Sequence, residues 1–261
     1  MGRLKSVFVF VACLLAPYFS AQQFEITYEV IYRPMVKDTA KYKTFYILQH
    51  DAESRESLFK PAVSENPLNI LVYKNLRLNN FSRYESILNN SYMVNYNFDI
   101  SDWELQSNQK EMMGYMCHEA RISLGGREWI AWYTNDLPLQ DGPYKFSGLP
   151  GLILEIHSRD GDYQFAMKGL KKNTFTVSKP KSTVFNDSEK EKQFKLQVIE
   201  DPALQYRNQM LQLKNNNMGV SVSFNGKEIT QKDTEKRIAD DFDKWRRKHD
   251  NPIEKGHIWV K

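Results

Sequence analysis

Apolar and polar positions alternate along the first strongly patterned stretch of the chain. Phe24, Ile26, Tyr28, Val30 and Tyr32 are interleaved with Glu25, Thr27, Glu29 and Ile31. A period of two is the pattern of a half-buried β-strand. A second run over 41–49 is rich in Tyr and Phe, and 70–73 and 92–98 are shorter candidates. No long helical pattern follows any of these runs, so a parallel βαβ sheet is not expected. Three dipeptides then punctuate the chain: Gly125-Gly126, Asp160-Gly161 and Asn225-Gly226. Each accepts positive φ, which a type I′ hairpin turn requires.

Those turns fix a register. Around Gly125-Gly126 the strands Tyr115–Leu124 and Arg127–Thr134 place Ile122 opposite Trp129, Ala120 opposite Ala131 and His118 opposite Tyr133. The other surface pairs Arg121 with Ile130, Glu119 with Trp132 and Cys117 with Thr134. Around Asp160-Gly161, Ile156 faces Phe165 and Leu154 faces Met167, which marks that side as core. Helical patterns come late. Residues 189–199 have helical composition with Phe194 and Val198 four apart, and Asp201-Pro202 reads as the cap and first turn of a second helix reaching about Leu213. In the last helix Thr230 and Asp233 have capping-box spacing, and Ile238, Phe242 and Trp245 form one apolar stripe.

The most distinctive string is Ser147-Gly148-Leu149-Pro150-Gly151-Leu152-Ile153-Leu154-Glu155-Ile156. Proline fixes φ near −65° and the following glycine supplies positive φ, so Leu149-Pro150-Gly151-Leu152 is expected to form a type II turn. Asp141-Gly142-Pro143 makes a preceding turn. The strand after the motif is apolar on both faces at its start, which predicts that it is covered on both sides. Glu155 points away from the Leu154–Ile156 core side and is expected exposed or ion-paired.

Composition adds a compartment. Arg3 and Lys5 precede an apolar run from Val7 to Leu15, and Ser20-Ala21-Gln22 follows. Basic start, short apolar centre and small residue read as a secretory signal peptide over 1–21, cleaved after Ala21. The run is shorter than the about 20 residues that span a bilayer. A buried first helix is the plainer alternative, and Cys13 offers a lipidation reading. Cleavage leaves a single domain over 22–261 with a short tail. It also removes two cations, taking the net charge from +4 to +2. That near-neutral balance argues against nucleic acid, which needs a basic stripe. Cys117 is then the sole cysteine, which excludes an internal disulfide and reads as a buried thiol.

The motif resembles the name-giving string of the GLPGLI family, exported proteins found mainly in Bacteroidetes: Gly148, Leu149, Pro150, Gly151, Leu152 and Ile153 match it in order. The resemblance extends through Gly114-Tyr115, Cys117, Ala120, Ala131-Trp132-Tyr133-Thr134, Pro138, Gly142-Pro143 and Asn251-Pro252-Ile253-Glu254. It implies an exported protein, periplasmic or secreted or associated with the outer membrane, and implies no activity. The expected fold is α+β, a curved and mainly antiparallel sheet with C-terminal helices, similar to lipoprotein-carrier (LolA-like) half-barrels.

Candidate chemistry is sparse. The chain has no Gly-x-Ser-x-Gly, His-Glu-x-x-His, Cys-x-x-Cys or phosphate-binding glycine loop. Met112, Met116 and His118 carry soft ligands suited to Cu(I), the one metal site the sequence suggests. Cys117 alternates to the other strand face, which works against a Cys117–His118 pair as nucleophile and base. Five Trp, fourteen Tyr and fifteen Phe suit core packing, and some could line a cavity for an apolar ligand. The expectation is therefore a non-enzymatic envelope protein that binds an apolar small molecule or an envelope protein, without a cofactor, nucleic acid or a transmembrane segment after cleavage. Copper handling and an unknown hydrolase are the alternatives.

Overall fold

The computed structural model describes residues 22–255 apart from 64–67, 69, 88–89, 98–101 and 219–220. The leader over 1–21 with Cys13, Phe98 at the end of the 92–98 run, and the tail from 256 onward lie outside the described residues. In chain order the elements are β1 (Gln23–Tyr32), β2 (Tyr42–Asp51), β3 (Glu56–Pro61), β4 (Leu71–Asn75), β5 (Asn80–Ile87), β6 (Asn90–Asn97), β7 (Glu104–Met112), β8 (Tyr115–Leu124), β9 (Arg127–Thr134), β10 (Leu152–Ser158), β11 (Tyr163–Lys172) and β12 (Thr183–Phe185). Helices α1 (Ser188–Glu200) and α2 (Leu204–Asn215), a small hairpin of β13 (Val222–Phe224) and β14 (Lys227–Ile229), and α3 (Gln231–Lys248) follow.

Among the described residues the sheet is open and 12-stranded, in the order β12-β6-β5-β4-β3-β2-β1-β11-β10-β9-β8-β7. It consists of two antiparallel meanders, β1 to β6 and β7 to β11, joined by the β1–β11 pairing. β12 alone is parallel, against β6. This is the α+β class expected, with the helices late in the chain. The inner face buries Ile26, Tyr28, Val30, Tyr46, Leu48, Phe59, Trp129, Ala131, Ile156 and Phe165. Their rings interlock: Tyr46 stacks on Phe59 at 4.8 Å and Trp129 meets Phe146 at 4.8 Å. At the β6 end α1 covers this face, where Val198 packs with Val94 of β6 and Phe242 of α3. Arg83 of β5 there pairs with Glu191 of α1 at 3.0 Å.

The hairpin registers follow the alternation. Ile122 faces Trp129, Ala120 faces Ala131, His118 faces Tyr133, and Arg121 and Glu119 face Ile130 and Trp132. Ile156 faces Phe165, while Leu154 sits at a register shift between Ile153 and Glu155. Both Gly125 and Gly126 are left-handed, as are Asn225 and Gly226. Asp160-Gly161 departs from the expected type I′ turn, because only Gly161 has positive φ. The carboxylate of Asp160 instead accepts from the Ser158 hydroxyl at 2.7 Å and the Asp162 N–H at 3.2 Å, closing the loop by side-chain bonds. The second helix also starts differently. Asp201 is the C-cap of α1 and its carboxylate pairs with Arg207, while α2 begins after Ala203, whose methyl group cannot cap it. The capping box of α3 is present with Asp in the third position.

Candidate functional site

The crossover from β9 to β10 carries the motif, and its glycines do not act as the sequence suggests. Gly148 is left-handed, with φ +88°, whereas Gly151 is not. The expected type II turn with positive φ at Gly151 is therefore replaced by a close backbone approach. A Cβ on Gly151 would lie 1.8 Å from the carbonyl oxygen of Thr134 at the end of β9. Two backbone bonds hold the chain that close: Leu152 N–H donates to Leu137 O at 2.8 Å, and Ile153 N–H to Asp141 O at 3.0 Å. Tyr144, Phe146 and Leu149 of the crossover then insert into the inner-face core. β10 is buried on both faces at its start, as its composition predicts.

Beneath the crossover lies a buried charged cluster that the sequence did not reveal. Asp141 Oδ2 is 2.8 Å from His50 Nδ1. Asp141 Oδ1 accepts from Lys74 Nζ and from the Gly142 N–H, the latter at 2.8 Å. Lys74 also donates to Gly142 O at 2.6 Å. Both Lys74 and Asp141 have no exposed side-chain surface. Burial alone would raise the Asp141 carboxyl, yet Lys74 and His50 together hold it well below the usual carboxylate range. Burial pushes the Lys74 amine down, against the pull of Asp141. His50 falls on the same strand face as Tyr46 and Leu48, so alternation predicts an inward side chain, but nothing in the sequence pairs it with position 141.

Two further clusters tie the C-terminal segment to the sheet. Arg127 reaches Asp160 at 2.5 Å, Asp162 at 3.1 Å, Asn251 Oδ1 at 2.6 Å and the carbonyls of Pro252 and Ile253 at 2.8 and 3.0 Å. Glu254 accepts from Tyr144 Oη at 2.6 Å and Lys145 Nζ at 2.5 Å. Burial works to raise Glu254, but Lys145 and Arg83 hold it down to about 2. The string Asn251-Pro252-Ile253-Glu254 thus docks against the β8–β9 turn and the crossover together.

On the outer face Glu119, Trp132 and Glu155 lie in one row across β8, β9 and β10. Lys110 sits 4.1 Å above the Trp132 ring and 3.4 Å from Glu155, so Glu155 is ion-paired. Cys117 is fully buried, and desolvation pushes its thiol up from the ordinary value.

The suggested soft-ligand set is divided by the sheet. In β7–β8 Met112 faces Tyr115 and Met116 faces Glu111, and adjacent strand residues point apart. Met116 and His118 therefore share one face, and Met112 projects from the other. Among the described residues no group of three His, Cys, Asp or Glu side chains is placed to hold a metal ion. β7 is instead notable as the terminal strand of the sheet. The β7–β8 hairpin exposes Leu105 at 61%, Met113 at 53% and Met116 at 50%. Beside the start of β7 lies an open cleft of about 440 Å³ lined by Asp102, Glu104, Arg121, Trp129, Ile130 and Arg159 among others.

A family profile described as a protein of unknown function (Porph_ging) matches residues 124–155, from the β8–β9 turn through the motif. No curated protein matches the chain. Among solved structures, PNGF-II in a C2 crystal form is similar over 66% of this chain at 20% identity with a TM-score of 0.51. PNGF-II in a P21 form gives 66%, 20% and 0.49. The chain spans about a third of the length of these structures, 32% and 33%, and the likeness to the C2 form concerns the fold.

Proposed function

We propose that this chain is an exported, non-enzymatic envelope protein of the GLPGLI type that binds a protein partner through its β7–β8 edge. The observation that carries this reading is the terminal strand with Leu105, Met113 and Met116 exposed on its hairpin. An edge strand presents unpaired N–H and C=O groups, to which an extended segment of another protein adds as a further strand. Exposed Met and Leu supply adaptable apolar contacts at such a surface. Asp102, Glu104, Arg121, Glu128 and Arg159 put charge in the lining of the cleft beside β7, which suits a protein segment better than an apolar small molecule. Export rests on the leader pattern over 1–21, and the family reading on the strings quoted above.

The test is affinity capture from the organism's own envelope fraction with wild type and with a Leu105→Lys/Met116→Lys double variant. A protein retained by the wild type and lost by the double variant, with unchanged circular dichroism, supports the reading. Equal retention by both, or a co-purifying lipid in place of a protein by native mass spectrometry, overturns it.

A further inference from the structure

The Lys74–Asp141 contact has the parts of a condensation site. The two side chains are wholly buried and touch, and His50, only 3% exposed, holds the second carboxylate oxygen. Phe81 and Ser57 flank Lys74 on the neighbouring strands, and Phe24 and Ser57 flank His50. The Ser57 hydroxyl is buried with no partner among the described residues. Keeping two full charges in such surroundings costs several kcal/mol of lost hydration per ion. Joining them as a neutral amide removes both charges. The folded chain also holds the groups in contact, which makes an otherwise slow amide condensation effectively unimolecular.

We propose that Lys74 and Asp141 form an intramolecular isopeptide bond, a covalent staple between β4 and the motif-bearing crossover. One proton passes from the ammonium to the carboxylate and comes to rest on Oδ2, giving an amine and a carboxylic acid. The Nζ lone pair then attacks Cγ. Oδ1 takes up the negative charge, facing the Gly142 N–H that already donates to it at 2.8 Å. The second proton of the attacking nitrogen passes across the carboxyl to Oδ2, which His50 Nδ1 holds at 2.8 Å, and Oδ2 leaves as water while the Cγ–Oδ1 double bond re-forms. One C–N bond forms, one C–O bond breaks, His50 ends as it began, and the ammonium–carboxylate pair becomes an amide plus one water. No oxidant, metal or nucleotide is needed. His50 is a positioning residue that holds Oδ2, and Lys74 is the nucleophile, a role to which buried lysines are suited because burial lowers their basicity.

The deciding experiment is peptide mapping by mass spectrometry of the purified, unreduced wild-type protein. The proposal requires a branched tryptic peptide joining the Lys74 and Asp141 segments, lighter than their sum by one water, with no cleavage after Lys74. Lys74→Arg keeps the cation but removes the nucleophile, and should yield only linear peptides. His50→Gln should slow appearance of the branched peptide at least tenfold after refolding from denaturant. Linear peptides carrying unmodified Lys74 and Asp141 from folded wild type overturn the proposal, whether or not either variant folds.

Discussion

The motif crossover and the β7–β8 edge are built in opposite ways. Around the crossover the charged side chains are buried and committed to other residues of the chain: Asp141 to His50 and Lys74, Glu254 to Tyr144 and Lys145, Arg127 to Asp160, Asp162, Asn251 and Pro252. At the edge, large apolar side chains face solvent, and one side of the strand has no neighbour in the sheet among the described residues. The string that is easiest to recognise is therefore the one most fully engaged in holding the fold, and the surface open to a partner carries no recognisable string.

The comparison breaks first at Gly151. Gly151→Ala drives a methyl group into the Thr134 carbonyl, and a backbone obstacle cannot swing aside. Chemical denaturation should show a loss of about 5 kcal/mol or more, or no folded protein. Asp141→Ala comes next, because it leaves the Lys74 amine buried with no carboxyl to pair with or to join. Equilibrium unfolding should register at least the about 3–5 kcal/mol that stranding one buried partner costs.

The third effect is a pH dependence. Glu254 is held at about 2 against an ordinary 4.5. A depressed carboxyl stabilises the fold above its unfolded value and loses that contribution as pH falls through the folded one. Stability should thus decline between about pH 4.5 and pH 2 by up to a few kcal/mol, and Glu254→Gln should flatten that slope in a urea titration series. The smallest stability effect belongs to the edge. Leu105→Lys should change the unfolding free energy by no more than about 0.5 kcal/mol, as exposed substitutions do, while weakening partner retention in the capture assay.

Much of the fold was legible because alternation and turn chemistry act locally. Ile122 opposite Trp129 and Ile156 opposite Phe165 follow from one glycine pair and one Asp-Gly loop. The terminal strand β7 was not legible, since Glu104–Met112 reads as polar almost throughout: an edge strand largely exposed on both faces has no core to impose a pattern. The His50–Lys74–Asp141 cluster was hidden for a different reason. Its members are separated by 24 positions or more, and only the meeting of two meanders with the crossover brings them together. Gly151 shows a third limit. Sequence chemistry marked the position as requiring glycine but assigned the requirement to dihedral angle, and the actual cause is a neighbour 17 residues back, Thr134.

The most direct test is thermal unfolding of Gly151→Ala beside wild type and Leu105→Lys. If the motif is architecture, Gly151→Ala loses the cooperative transition or shifts it down steeply, while Leu105→Lys melts with wild type. A Gly151→Ala protein that unfolds at the wild-type temperature would contradict the account.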